Sequence, residues 1–244
     1  MSKSRIRWNL LRYALLWLAL AMPVAASAGQ ALTPYSAEYK VKISVLSGRL
    51  TTDLHATEDG FEATHVIKPQ GLARIIKNGH ISESSRFGVT DGSVKASWYR
   101  SEDTLSKGKP KAEVTFDWSS NEMSGTVNDE EIQILLDGLV HDRVAIQYQL
   151  MQDLLNGEPE EHYILFDIDE FKTLIISNVG EREIKTPAGT FIAVGIQHQK
   201  KDSSRVTTLW CVPELGYLPA LIEQHRDGKL RLRALLKNYS PLAE

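Results

Sequence analysis

From Tyr35 the chain alternates: Tyr35, Ala37, Tyr39, Val41, Ile43 and Val45 are separated by Ser36, Glu38, Lys40, Lys42 and Ser44. Strict period two over eleven residues sends successive side chains to opposite faces, which suits a strand with one buried and one wet side. Similar runs recur along the chain. Between them stand Ser47-Gly48, Asp59-Gly60, Asn78-Gly79, Asp91-Gly92 and Asp227-Gly228, dipeptides that supply the positive φ of tight hairpin turns. Pro187-Ala188-Gly189 adds a turn whose first corner is fixed by proline. The pattern predicts strands at 35–46, 49–58, 60–67, 80–88, 93–101, 111–118, 122–128, 161–168, 171–180, 182–187, 190–199, 204–212, 216–224 and 229–237. So many sequential hairpins form a meander too wide to stay flat.

One segment has a different period. Between Leu139 and Leu155, Val140, Val144, Tyr148, Met151 and Leu155 recur at helical spacing, and Ile146, Leu150 and Leu154 widen the stripe. Asp137 is placed to cap its start, while Asn156-Gly157 and Pro159 stop it. A helix this short is marginal alone in water and must bury its stripe, for which the concave side of a curled sheet is available. The expected fold is therefore mainly β: a curled antiparallel meander, an open barrel or half-barrel, packed around one amphipathic helix.

The N-terminus reads differently. Lys3, Arg5, Arg7 and Arg12 precede a ten-residue apolar stretch, Tyr13 to Met22, then Pro23 and the small-residue pattern Ala26-Ser27-Ala28. This is the layout of a secretory signal peptide. The stretch is too short for a bilayer, which needs about 20 apolar residues. The expectation is a signal peptide over residues 1–28, cleaved after Ala28, and one β-rich periplasmic domain over 29–244. With no cysteine after the apolar run, the mature chain is expected to be soluble and not membrane-spanning.

Cleavage removes four of the 28 Lys and Arg and none of the 31 acids, leaving a net charge of −7 on 216 residues. That balance argues against nucleic acid as a partner and disfavours anionic membrane surfaces for the same reason. Cys211 is the only cysteine, so no internal disulfide can form; between Trp210 and Val212 it reads as a buried, inert thiol. Seven histidines form no His-x-His, His-Glu-x-x-His or Cys-His cluster, so no metal or cofactor is expected. Nucleophile elbows and phosphate-cradling glycine loops are lacking too. Asp167-x-Asp169-Glu170 lacks the glycine and later ligands of a calcium loop, and reads as a solvated hairpin.

Aromatic and basic residues supply the candidate contacts. Trp98 shares its register with Val94 and Ala96, Trp118 with Val114 and Phe116, and Trp210 with Val206 and Val212. These tryptophans therefore either fill the core or, with Tyr148, line a pocket for an apolar ligand. Arg231 and Arg233 share a face of the last hairpin, either a wet strand face or a contact for an anionic head group. Lys107-Gly108-Lys109-Pro110-Lys111 reads as an exposed loop and Lys200-Lys201 as a hairpin tip.

Thr186-Pro187-Ala188-Gly189-Thr190-Phe191, followed by Leu209-Trp210-Cys211-Val212-Pro213 and Tyr217-Leu218-Pro219, resembles the signature of a family of exported bacterial proteins, domain-of-unknown-function family 3108. Phe116-Asp117-Trp118 and the helix entry around Asp142 leading to Gln149-Leu150 are similar to it as well, so the resemblance spans Tyr35 to Tyr239. It implies a β-rich fold and supplies no activity or catalytic residue to carry over. By analogy of shape with periplasmic lipoprotein carriers, the leading expectation is a non-catalytic binding or carrier protein for a lipid-like envelope component or lipoprotein. An envelope polysaccharide hydrolase or lyase, and an assembly partner of another envelope protein, are the alternatives.

Overall fold

A computed structural model describes residues 31–76, 78–157 and 159–242. The signal peptide expected at 1–28, with its cleavage point, lies outside these residues. Eight strands come first, each pairing antiparallel with the next: β1 (Tyr35–Ile43), β2 (Leu46–Thr57), β3 (Gly60–Gln70), β4 (Ile81–Thr90), β5 (Ser93–Asp103), β6 (Lys111–Asp117), β7 (Glu122–Val127) and β8 (Glu130–Leu135). A single helical turn, α1 (Ala73–Ile76), joins β3 to β4. After a short β9 (Val140–His141) and the helix α2 (Ala145–Asn156), the meander resumes as β10 (His162–Asp167), β11 (Glu170–Thr186), β12 (Gly189–Lys200), β13 (Arg205–Val212), β14 (Leu218–Arg226) and β15 (Lys229–Pro241). β15 pairs with β1, uniting both halves in one 15-stranded sheet whose edges are β8 and β9. The curled, open meander around one helix is the fold expected from the sequence.

Several local expectations change. The β1–β2 turn falls at Ser44-Val45, with Ser44 at φ 55, rather than at Ser47-Gly48. Gly48 instead lies within β2, where a Cβ would stand 3.2 Å from the Lys68 carbonyl of β3. The alternation of β1 holds only to Val41, and Ile43 and Val45 are exposed. Asp91-Gly92 and Asp227-Gly228 do form turns with both residues at positive φ, the geometry that matches strand twist. Asn78-Gly79 lies in the loop between α1 and β4. The two strands expected at 171–180 and 182–187 are one strand, β11, bulged between Asn178 and Glu181.

The helix begins at Ala145, six residues after the expected start. Val140 and His141 are taken into parallel pairing with Ile164 and Leu165 of β10. Asp142, not Asp137, organises the helix entry. Its Oδ1 accepts the backbone N–H groups of Val144 and Ala145, both at 2.8 Å, and its Oδ2 accepts the Ser85 hydroxyl of β4 at 2.7 Å. An aspartate satisfies the orphan donors of a first turn in this way. Here it also ties that turn to the sheet.

Side chains close the gap that the backbone leaves open. Gln149 of α2 accepts the Val94 N–H at 2.6 Å and donates to the Gly92 carbonyl at 3.1 Å, both at the start of the β5 region. Tyr99 of β5 meets Phe166 of β10 edge to face, with centroids 6.3 Å apart. Arg143 lies between Glu83 of β4, at 3.2 Å, and Asp167 of β10, at 3.5 Å. The late strands thus face the early ones across α2.

Candidate functional site

Because hairpins alternate in direction, the turns gather at two ends of the curled sheet. One end, the mouth, carries the β1–β2, β10–β11, β12–β13 and β14–β15 turns together with α1, and the N-terminal turn of α2 points toward it. The far end carries the β2–β3, β4–β5, β6–β7 and β13–β14 connections.

Helix α2 divides the interior unequally. Its Tyr148 face packs into the early half. Tyr148 stacks on Phe87 with centroids 5.1 Å apart, and its hydroxyl lies 3.2 Å from that of Tyr35 and 3.4 Å from His65 Nε2. Gln147 donates to the Tyr35 hydroxyl at 3.4 Å, so the buried polar atoms are knitted together as interior packing requires. Leu54, Ala63, Tyr39 and Leu236 complete a filled core.

The opposite side of α2 is filled only at its base, where Leu150, Leu154, Tyr163, Leu174, Ile196 and Leu209 form a second buried cluster. Between α2 and the late half lies a cavity of about 590 Å³, open at the mouth, a size within the range of small-molecule sites. Buried Leu150 of α2, Leu174 of β11 and Leu209 of β13 form its floor, with Ile146 and Leu165 beside them. Its rim is charged: Arg143, Lys172, Lys200, Arg205 and Arg226 stand with only two acids, Asp167 and Glu170. Both acids are engaged. Lys172 binds Asp167 and lies 2.9 Å from Glu170, which also takes Lys200 at 2.9 Å. The Asp167–Glu170 hairpin is therefore an ion-paired rim element, while Arg205 has no acid partner among the described residues. His198 lines the cavity, and burial pushes its imidazole down to about 4, keeping it neutral.

The candidate residues from the sequence scatter over this frame. Tyr148 belongs to the filled side and does not line the cavity. Trp98 is turned outward by a bulge that sets Arg86 opposite Trp98 and Phe87 opposite Ala96. The register shared with Val94 and Ala96 breaks there, and Tyr99 becomes the inward residue. The Arg86 guanidinium lies 5.0 Å from the Trp98 ring centre. Trp118 stacks on Phe116 and donates to the Ala96 carbonyl at 2.6 Å, a core-edge role. Trp210 is buried on the face opposite Leu209, against the space left by Gly195 and under the Arg182 guanidinium at 3.8 Å.

Arg231 and Arg233 also part company. Arg233 donates twice to Glu223, at 3.0 and 2.6 Å, and Arg182 takes the other oxygen of that buried carboxylate at 3.0 Å. These guanidinium groups hold Glu223 below the usual carboxylate range despite its burial. Arg231 makes no side-chain ion pair among the described residues and stands beside Arg205, Arg226 and Asp227 at the mouth. Cys211 is buried, and burial pushes its thiol up to about 12, as its strand position implied. No local pattern marks the cavity rim, because Arg143, Lys172, Lys200, Arg205 and Arg226 come from separate elements.

No helix among the described residues is long and apolar enough to cross a membrane. The chain is similar to the crystal structure of a β-barrel-like protein of domain-of-unknown-function family 1849 from Brucella abortus. Identity is 8%, covering 88% of this chain and 100% of that one at a TM-score of 0.57. A structure of MucB is similar at 10% identity over 88% of this chain and 55% of that one, with a TM-score of 0.37. No curated protein matches in sequence. Residues 34–233 match the family described as protein of unknown function DUF3108, and the chain belongs to that family.

Proposed function

We propose that this chain is a non-catalytic carrier of the cell envelope that holds an amphiphile, an acyl chain with an anionic head group, in the cavity between α2 and the late half of the sheet. The observation that carries this reading is the pairing of an apolar floor, Leu150, Leu174 and Leu209, with a cationic rim where the cavity opens at the mouth. Each methylene buried on such a floor contributes about 0.8 kcal/mol before ordering costs. Arg205 and Arg226 suit an anionic head group left at the rim. The hydrolase reading has less support, because the acids at the cavity are bound to Arg143, Lys172 and Lys200 rather than free to donate or accept a substrate proton. Export to the periplasm with cleavage after Ala28 belongs to the same proposal and rests on the N-terminal pattern; N-terminal sequencing of the protein recovered from its native envelope tests it.

The direct experiment is titration of the purified protein with a long-chain fatty acid and with the corresponding fatty alcohol, read by native mass spectrometry. One-to-one binding of the acid, weaker binding of the alcohol, and a loss of at least about tenfold in Leu209→Trp, which fills the floor, are expected. Absence of any bound species, or unchanged binding in Leu209→Trp with its thermal transition intact, overturns the reading.

A further inference from the structure

We infer that the mouth sector formed by α1 and the β1–β2 and β14–β15 turns is a docking face for an anionic lipid bilayer. Four large apolar side chains are bared in this sector: Val45 is 91% exposed, Leu72 78%, Ile75 81% and Ile76 70%. Ala73 alone anchors α1 to the sheet, leaving the rest of that turn outward. Val45 is adjacent because the β2–β3 ladder pairs Ser47 with Gln70, just before α1. Single exposed apolar residues are ordinary, but a cluster at one rim marks an interaction surface.

The charges around that cluster select its partner. A groove of about 780 Å³ beside α1 is lined by Arg49, Lys68, Arg74 and His80, with no carboxylate. Lys68 and Arg74 make no ion pair among the described residues, and Arg49 reaches Glu38 only at 3.6 Å. On the other flank, Arg231 is carried beside the β1–β2 turn by the Ser44 N–H bond to its carbonyl, at 3.2 Å. Asp227 of the β14–β15 turn is the carboxylate among these cations and lies 4.0 Å from Arg226, whereas the far end carries Glu58, Asp59, Asp91, Asp117, Asp137 and Glu214 on its connections. A net charge of −7 over the mature chain therefore conceals a cationic pole, and the field close to a surface follows the local charges within a Debye length of about 8–10 Å. Apolar side chains that enter the headgroup region, ringed by cations that meet anionic lipids, are the two signals that reversible membrane attachment combines. Seated this way, the chain would present the cavity mouth toward the bilayer. The docking argument does not require that the cavity hold a lipid.

Flotation of the mature protein with neutral phosphatidylcholine vesicles and with vesicles containing phosphatidylglycerol tests the inference. Binding to the anionic vesicles that weakens with salt, with little binding to neutral ones, is expected. Ile75→Asp should lower partitioning by at least about tenfold through the lost apolar contact. Lys68→Gln with Arg74→Gln should lower it by about thirtyfold, near fivefold for each cation. All three residues are exposed, so circular dichroism should be unchanged. An environment-sensitive fluorophore at a cysteine placed at Ile75 should shift to the blue on binding, whereas one at Leu135 on the far end should not. No binding at low salt, binding that ignores vesicle charge, or wild-type binding by both variants overturns the inference. A change of oligomeric state in Ile75→Asp without vesicle binding also overturns it, in favour of a contact between copies. Fatty-acid titration of the same variants separates the two readings, because docking can fail while the cavity still binds, and the reverse.

Discussion

The two sides of α2 are built from the same sheet and differ in what they contain. On the early side, Tyr148, Phe87, Tyr35 and His65 meet ring to ring and hydroxyl to hydroxyl. On the late side, Leu150, Leu174 and Leu209 pack into a smaller aliphatic cluster that floors an open space, with ion pairs above it. Aromatic residues on adjacent strands fill the early interior throughout, whereas the leucines of the late side close only its base and leave the mouth open. One side fixes the helix in place, and the other offers room beside it.

The sharpest way to break this contrast is to hollow out the filled side. Tyr148→Ala should cost about 3–5 kcal/mol in urea unfolding, since Tyr148 is fully buried and central to the cluster. Ile146→Phe on the cavity side should cost under about 1.5 kcal/mol, because Ile146 is only partly buried and borders the open space. Equal costs would mean that the two sides are packed alike.

Acidification should strain both sides. Burial pushes His65 on the filled side, and His141 and His198 on the late side, down to about 4. Between the ordinary histidine value near 6.5 and about 4, the unfolded chain takes up protons that the folded chain refuses, so stability falls as pH drops through that window. Asp142 acts in the opposite sense. Burial raises its carboxyl to about 6, so the folded state holds a proton that the unfolded one has released, and this contribution is lost as pH rises through about 6. Three histidines outweigh one aspartate, and urea midpoints should decrease from pH 7 to pH 4.5. Asp142→Asn should steepen that decrease; a midpoint that rises on acidification would contradict the assignment.

A smaller effect probes the outer packing of the late half. A Cβ at Gly195 would lie 2.6 Å from Val179 and 2.7 Å from the Trp210 ring, so Gly195→Ala should cost about 1–3 kcal/mol. If Trp210 and Val179 instead gave way freely, the substitution would be nearly neutral. The smallest effect separates the paired arginines of β15. Arg233→Ala should cost about 1 kcal/mol after allowance for solvent screening, because it strips partners from Glu223, whereas Arg231→Ala should leave the thermal transition unchanged.

Much of this architecture is written in local pattern. Alternation marks β1 through Val41, and Asp-Gly pairs mark two of the turns, because face and turn geometry depend on neighbours a few residues away. Less visible was β8, whose Glu130-Glu131 start and exposed face give an edge strand little apolar signal. The helical stripe was legible over α2, but its entry was not. Val140 and His141 carry a spacing compatible with a helix, and pairing with distant β10 draws them into a strand. Trp98 failed for a related reason: a single bulged residue reverses every side chain beyond it, and nothing in the alternation of β5 announces it.

By itself the sequence determined the class of fold, the place of the one helix, the inert cysteine and the family, since these rest on periodicity, turn chemistry and motifs close in the chain. Only the tertiary structure decided which candidates meet. Arg231 and Arg233 are two residues apart and look equivalent, yet Glu223 from the next strand claims one and leaves the other free. The cavity and the bared α1 sector likewise belong to no single segment. Voids and surfaces depend on how far side chains reach across a curl between residues distant in the chain, from Arg143 to Arg226 around the cavity, a separation over which local pattern carries no information.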